Sequence, residues 1–137
     1  MGVHTYHDWF GSPEPCPALY ISLRRPEDRQ PCLSDIIAAV DTGAPLTAIP
    51  LGYKDIASLV PRGWVHVRWR GYDEPRVPTY LAYVAAEECV PRLVEIFFDR
   101  YLINYALIGR NLMKHWHVTL NGLEQTMEIE EQDPQSL

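Results

Sequence analysis

A short apolar run that stops at an acidic residue constrains this chain more than any other feature. Residues 36–40 read Ile-Ile-Ala-Ala-Val, and Asp41-Thr42-Gly43 follows at once. The run is too short for a typical helix, and an apolar run of this length between turn residues predicts a strand buried on both faces. The sequence therefore predicts a strand in the core with a carboxylate at the C-terminal end of that strand.

Further short strands and turns fill the rest of the sequence. Period-2 alternation predicts strands at 19–23, 64–70 and 76–85, and the turn residues 71–75 join the second and third of these into a hairpin. Residues 93–98 are a further strand candidate. We also expect a strand at 47–50, one or two helical turns within 52–59, a short helix over 111–116, and a hairpin of 118–120 with 125–129, and residues 105–108 form an apolar run that ends at Gly109. The 12 prolines and 8 glycines favour short segments joined by turns. The pattern predicts an all-β domain.

Length and charge narrow the class of protein. A chain of 137 residues suits one domain, which we place at 18–130 between an irregular N-terminal arm (1–17) and a polar tail (131–137). The net charge of -6 argues against a nucleic-acid partner. No apolar stretch approaches the ~20 residues of a spanning helix, and 1–10 lack the pattern of a secretory signal. The 3 widely spaced cysteines fit a reducing compartment, so we expect a cytoplasmic protein with no membrane partner.

A second motif, Leu107-Ile108-Gly109-Arg110, makes the acidic tripeptide Asp41-Thr42-Gly43 a more specific signal than it is alone. With both motifs in this order, the chain resembles the retropepsins, the single-domain aspartic peptidases typified by retroviral proteases. In that family a flap hairpin lies between the motifs, and the Gly-Arg segment crosses beneath the acidic loop before a short helix and a terminal strand. The resemblance covers residues 20–129. It implies a closed barrel with a flap hairpin and one short helix near the C-terminus.

The resemblance implies an aspartic endopeptidase that acts on peptide or protein substrates. Such an enzyme needs two facing carboxylates, since the ionised one takes a proton from water while the protonated one donates to the carbonyl oxygen. The chain carries one acidic tripeptide, so the resemblance implies a homodimer whose two-fold axis passes between two Asp41 side chains. The implied catalytic residues are Asp41, Thr42 and Gly43, and no metal or other cofactor is implied.

The other residues that match the family pattern fall into two groups. Contact with substrate is implied for Ala44, Gly71, Tyr72, Leu107 and Ile108. Structural support of the catalytic loop is implied for Gly109 and Arg110, and Ile108 is expected to share in it by packing beneath the loop.

One position departs from the family pattern. Pro45 stands where many retroviral members carry an Asp that contacts substrate backbone and the motif's Arg. The partner of Arg110 is therefore open, and Asp28 or Glu27 are the candidates. The departure, together with an acidic flap tip, also keeps an alternative function open: a catalytically silent peptidase-like module for dimerisation or peptide binding.

Other candidate sites have simpler structural explanations. The pairs His4/His7 and His115/His117 lack a third and fourth ligand at zinc-site spacing. Cys89 lacks the surroundings of a catalytic cysteine. The aromatic residues within 64–83 are expected to pack in the core or the flap. The acidic run 128–131 is expected to be a solvated sheet edge that discourages aggregation.

Overall fold

The computed structural model of the protein describes residues 2–8, 13–69 and 71–131, without the side chains of Trp69 and Tyr72. The strands are β1 Gly2–Thr5, β2 Ala18–Arg24, β3 Leu33–Val40, β4 Thr47–Pro50, β5 Gly63–Trp69, β6 Tyr72–Ala86, β7 Arg92–Asp99, β8 Ala106–Ile108, β9 Trp116–Asn121 and β10 Thr126–Glu131. A 3-10 turn, Leu51–Tyr53, leads into α1 Lys54–Ala57, and α2 is Arg110–Met113. No helix in the described ranges has the length and apolar character needed to cross a membrane.

A closed barrel forms the body of the protein. The larger sheet has the order β2-β3-β8-β4-β7-β6-β5, and a further pairing of β2 with β6 closes the first six of these strands into a ring. β5 pairs with β6 alone and extends from the ring as the outer strand of a hairpin. The predicted all-β closed barrel with a flap hairpin is therefore confirmed. The short helix after Gly109 is present as α2, and α1 lies where one or two helical turns were expected.

The core follows the alternation of the strands. Leu19, Ile21 and Leu23 on β2 point inward and are at most 1% exposed, whereas Tyr20 between them is 44% exposed. β7 shows the same pattern across its eight residues. Removing such side chains from water is the main favourable term for the fold. The run 36–40 belongs to β3, which β2 and β8 flank on its two sides.

A second, smaller sheet packs beside the barrel, with the order β1-β10-β9. β1 pairs with β10 from Gly2 opposite Ile129 to Thr5 opposite Thr126. The expected irregular arm therefore contains a strand. The expectation of an edge at 128–131 is wrong, because β10 lies between two neighbours and the open edges belong to β1 and β9. The division at residues 17 and 130 stays a prediction, and 132–137 lie outside the described residues.

The flap hairpin turns more tightly than the sequence indicated. β5 ends at Trp69 and β6 begins at Tyr72, and before Tyr72 the backbone of Gly71 has φ +90°, a conformation that glycine adopts without strain. Residues 72–75 were predicted to be turn, but they belong to β6. A β-bulge places Pro75–Arg76 opposite the single residue His66. A bulge accommodates a proline that would otherwise interrupt the ladder.

Candidate active site

Asp41 directly follows β3, at the point where β3 and β8 run side by side with Val40 opposite Ile108. Its backbone N–H donates to the Ile108 carbonyl at 3.0 Å. The Gly43 N–H donates to Oδ1 of Asp41 at 2.9 Å, so the carboxylate is held by its own turn. Among the described residues no group donates to the second carboxylate oxygen. That oxygen is therefore available to a water molecule or a second carboxylate.

The segment after β8 holds residues 41–45, which we call the catalytic turn after their predicted role, through backbone hydrogen bonds. The Arg110 N–H donates to the Ala44 carbonyl at 2.8 Å, and the Asn111 N–H donates to the Pro45 carbonyl at 3.1 Å. Gly109 lies so close to the chain before β4 that an added Cβ would meet the Thr47 nitrogen at 2.9 Å and the Leu46 carbonyl closer still. Only a glycine allows the two segments to cross at this distance.

A buried polar network braces this crossing, and the sequence analysis missed it. Thr47 is 0% exposed, and its hydroxyl accepts from the Gly109 N–H at 3.1 Å and donates to Oδ1 of Asn111 at 3.0 Å. The Asn111 amide donates in turn to the Glu95 carbonyl at 2.6 Å. A satisfied buried network gives one rigid arrangement. The available signals were a threonine that opens an apolar strand and an asparagine directly after the Gly-Arg pair.

The side chain of Arg110 binds the catalytic turn directly. Its Nη1 donates to the Thr42 carbonyl at 2.8 Å. The suggested partners Asp28 and Glu27 are wrong, because Asp28 pairs with Arg25 at 2.6 Å and neither acid forms an ion pair with Arg110 in the described structure. A backbone carbonyl thus takes the place that an acidic side chain at Pro45 would have filled.

The expected substrate contacts separate into accessible and buried positions. Ala44 and Leu107 are partly exposed, whereas Ile108 is 0% exposed and belongs to the core. A direct contact of Ile108 with substrate does not fit this burial, so we correct its role to packing beneath the catalytic turn. Gly71 is exposed at the tip of the flap hairpin, and the side chain of Tyr72 lies outside the described residues.

The structure brings residues 41–45 together with 107–111, as the hydrogen bonds above show. It does not bring the flap tip into the same network. No hydrogen bond or ion pair in the described ranges joins Gly71 to the catalytic turn.

An ion pair connects the flap to the barrel instead. Arg100, directly after β7, approaches Glu74 on β6 with Nε 2.9 Å from Oε1 and Nη2 3.4 Å from Oε2. Arg100 is largely exposed, so the pair adds little to stability. Its geometric effect is to hold the flap strand against the loop that leads to β8. The sequence analysis did not identify either residue.

The remaining candidates have no catalytic geometry. Within the described part of the chain, no three His, Cys, Asp or Glu side chains lie close enough to hold a metal ion. Burial, followed by the positive charges of Arg92 and Lys114, lowers the pKa of His115 below its usual value. Burial and then the Glu131 charge raise the pKa of Cys89 to about 11. That thiol is protonated at neutral pH, and a protonated thiol is a poor nucleophile.

Comparison with known proteins identifies the class of fold. No protein-family model and no curated protein sequence matches the chain. Among solved structures, a retropepsin-like aspartic protease from Rickettsia conorii matches with a TM-score of 0.56 and 12% identity, over 93% of this chain and 87% of that one. The EIAV protease complexed with the inhibitor HBY-793 matches with a TM-score of 0.54 and 9% identity, over 78% of this chain and 92% of that one.

These matches and the closed barrel define the class: the chain has a retropepsin-like fold. At such low identities the likeness concerns the fold. The chemistry has to be argued from the residues of this chain.

Proposed function

We propose that the protein is an aspartic endopeptidase that works as a homodimer, with one Asp41 from each subunit. The observation that carries the proposal is the fixed carboxylate of Asp41 at the end of β3. The Gly43 N–H positions it, and the segment from Ile108 to Asn111 locks its turn within a retropepsin-like fold. An acidic side chain held this firmly, with one oxygen that accepts no hydrogen bond from the described residues, suits a shared catalytic pair.

In the proposed mechanism the two Asp41 carboxylates share one proton. Like charges at contact distance do not both ionise, so one carboxylate takes a proton from water while the other donates to the scissile carbonyl. The Thr42 hydroxyl links the two turns at the axis, and Gly43 leaves room for substrate backbone. The mechanism requires neither a metal nor another cofactor.

The proposed substrate is an extended peptide bound as a strand between the flap and the catalytic turns. Ala44 and Leu107, both partly exposed, contact it from below, and Gly71 and Tyr72 close over it and exclude water. Cys16, Cys32 and Cys89 form no disulfide within the described residues, which supports a cytoplasmic location.

The alternative is a catalytically silent module that binds peptides or dimerises. Pro45 favours it, because the carboxylate that contacts substrate backbone in many retroviral members is missing at that position. Asp41 weighs against it, because a silent module gains nothing from a carboxylate that must face its own copy at an electrostatic cost.

Cleavage of a complex peptide library tests the proposal, read by mass spectrometry from acid to neutral pH. Asp41→Asn removes the charge with almost no change of shape, and we expect a loss of about 10³-fold or more in cleavage rate. Asp55→Asn makes the same chemical change in the first turn of α1 and should leave cleavage intact. Undiminished cleavage by Asp41→Asn would contradict the mechanism. A dimeric wild type that cleaves nothing would favour the silent module.

A further inference from the structure

The two faces of the flap hairpin differ in composition and exposure. Val65 lies opposite Val77 in the ladder, and Val67, two residues further along β5, lies opposite Glu74. Partners across a ladder share a face, and so do alternate residues of one strand, so these four side chains form one surface, which we call the inner face. Each of them is partly buried. The other face is exposed, and among its side chains are Trp64, His66, Arg68, Asp73 and Arg76.

The inner face is turned towards the barrel. Glu74 reaches Arg100, with 2.9 Å between Oε1 and Nε, and Arg100 begins the loop that leads from β7 to β8. At the end of β8, Ile108 pairs with Val40, the residue before Asp41. In the proposed function a peptide lies between the flap and the catalytic turn. Such a peptide therefore runs along the inner face.

Glu74 is the only described side chain of the inner face that carries a charge. The other three are valines, and the side chain of Glu74 is 29% exposed. The carboxylate is therefore partly removed from water, which strengthens its attraction to a nearby cation. Arg100 supplies that cation in the free protein, but its side chain is 61% exposed and stays hydrated. Because an ion pair of this kind contributes little, exchanging Arg100 for another cation costs little.

We propose that Glu74 selects peptides that carry a lysine or an arginine, whose charged end takes the place of Arg100. The inference rests on the proposed function, because it names the class of peptide that the flap holds. Lysine and arginine side chains have an apolar stem and a charged end. The stem packs along Val65 and Val67, and the charged end reaches Glu74. Closure of the flap excludes water and strengthens this pairing, whereas an acidic side chain at the same place meets a like charge.

Peptide selection by the Asp41→Asn protein tests the proposal without relying on cleavage. The probe is a peptide library in which one lysine, arginine, leucine or glutamate moves through each position of otherwise random, uncharged sequences. Ultrafiltration separates the bound peptides, and mass spectrometry identifies them. We expect peptides with lysine or arginine to be enriched at least about tenfold over those with leucine, and peptides with glutamate to be depleted. Adding Glu74→Gln should abolish the enrichment.

Three further variants, each made in the Asp41→Asn protein, separate recognition by Glu74 from other effects. Asp73→Asn removes the same charge from the exposed face, where Asp73 meets His66, and should keep the enrichment. Arg100→Gln breaks the same ion pair as Glu74→Gln but should raise the enrichment, because the competing cation is gone. The double variant E74R/R100E keeps an ion pair with its charges exchanged and should favour peptides with glutamate. Circular dichroism establishes that every variant is folded.

The outcomes separate this inference from the peptidase itself. An enrichment that is absent, or that Asp73→Asn lowers as far as Glu74→Gln does, overturns the role of Glu74. An equal loss in Arg100→Gln assigns the effect to flap support by the ion pair and overturns that role too. Cleavage by wild type that requires Asp41 but shows no preference for basic peptides overturns the inference and keeps the peptidase. Selective retention of basic peptides by a wild type that cleaves none of them supports the inference and rejects the peptidase.

Discussion

Replacing Gly109 with alanine tests whether the crossing beneath the catalytic turn depends on close backbone contact. The added Cβ would meet the Thr47 nitrogen at 2.9 Å and the Leu46 carbonyl closer still, and both are backbone atoms that no side-chain rotation can move away. An ordinary contact requires the two segments to separate by roughly 1 Å. Overpacking of this kind costs about 1–3 kcal/mol. The same separation weakens the bond from the Gly109 N–H to Thr47, which adds about 1 kcal/mol.

The expected total is a loss of about 3 kcal/mol in the free energy of unfolding. Urea titration at one fixed protein concentration measures it through tryptophan fluorescence, since dimerisation makes apparent stability depend on concentration. Gly52→Ala is the matched control, because a Cβ there meets nothing within 4 Å. An unfolding midpoint for Gly109→Ala equal to that of Gly52→Ala would refute the argument from close contact.

Two further predictions concern buried polar groups. Thr47→Val keeps the shape but leaves the Gly109 N–H and Oδ1 of Asn111 without their partner, so we expect a loss of about 2 kcal/mol on urea titration. Thr47→Ser retains the hydroxyl and should lose about half as much, and equal losses would remove the network from the account of stability. The pKa of Cys89, raised to about 11, predicts that its alkylation by iodoacetamide rises roughly tenfold per pH unit from neutral pH towards 11. A rate that levels off near pH 9 would contradict the burial of this thiol.

Local patterns in the sequence predicted the elements that surround the catalytic turn. Residues 47–50 were expected as a strand and form β4, because an apolar run between turn signals identifies a buried strand without reference to the rest of the chain. The strand that ends at Asp41 was predicted in the same way, whereas the short helix over 111–116 was predicted from apolar residues that share one helical face. Local backbone sterics and burial determine these elements, and both produce a periodic pattern of apolar residues in the sequence.

Features that depend on distant partners were not predictable in this way. β1 is a strand because β10 provides its ladder, and its four residues are too few to show a period. The acceptor for Arg110 is the backbone carbonyl of Thr42. Because every residue has a backbone carbonyl, the sequence does not indicate which one accepts this hydrogen bond. Pro75 indicated a turn because proline breaks regular ladders, and the bulge opposite His66 that accommodates it arises only on pairing.

The pairing of β1 with β10 inside one chain determines how the proposed enzyme can be put together. Each copy finishes its own small sheet, so no exchange of chain ends is needed to complete a subunit. In the proposed dimer, two such copies would meet as folded subunits and separate again without unfolding. In a mixture of wild type with a variant that lacks Asp41, the copies would exchange freely between dimers. A wild-type copy paired with such a variant would be inactive. A defective copy would therefore silence a working one simply by binding it.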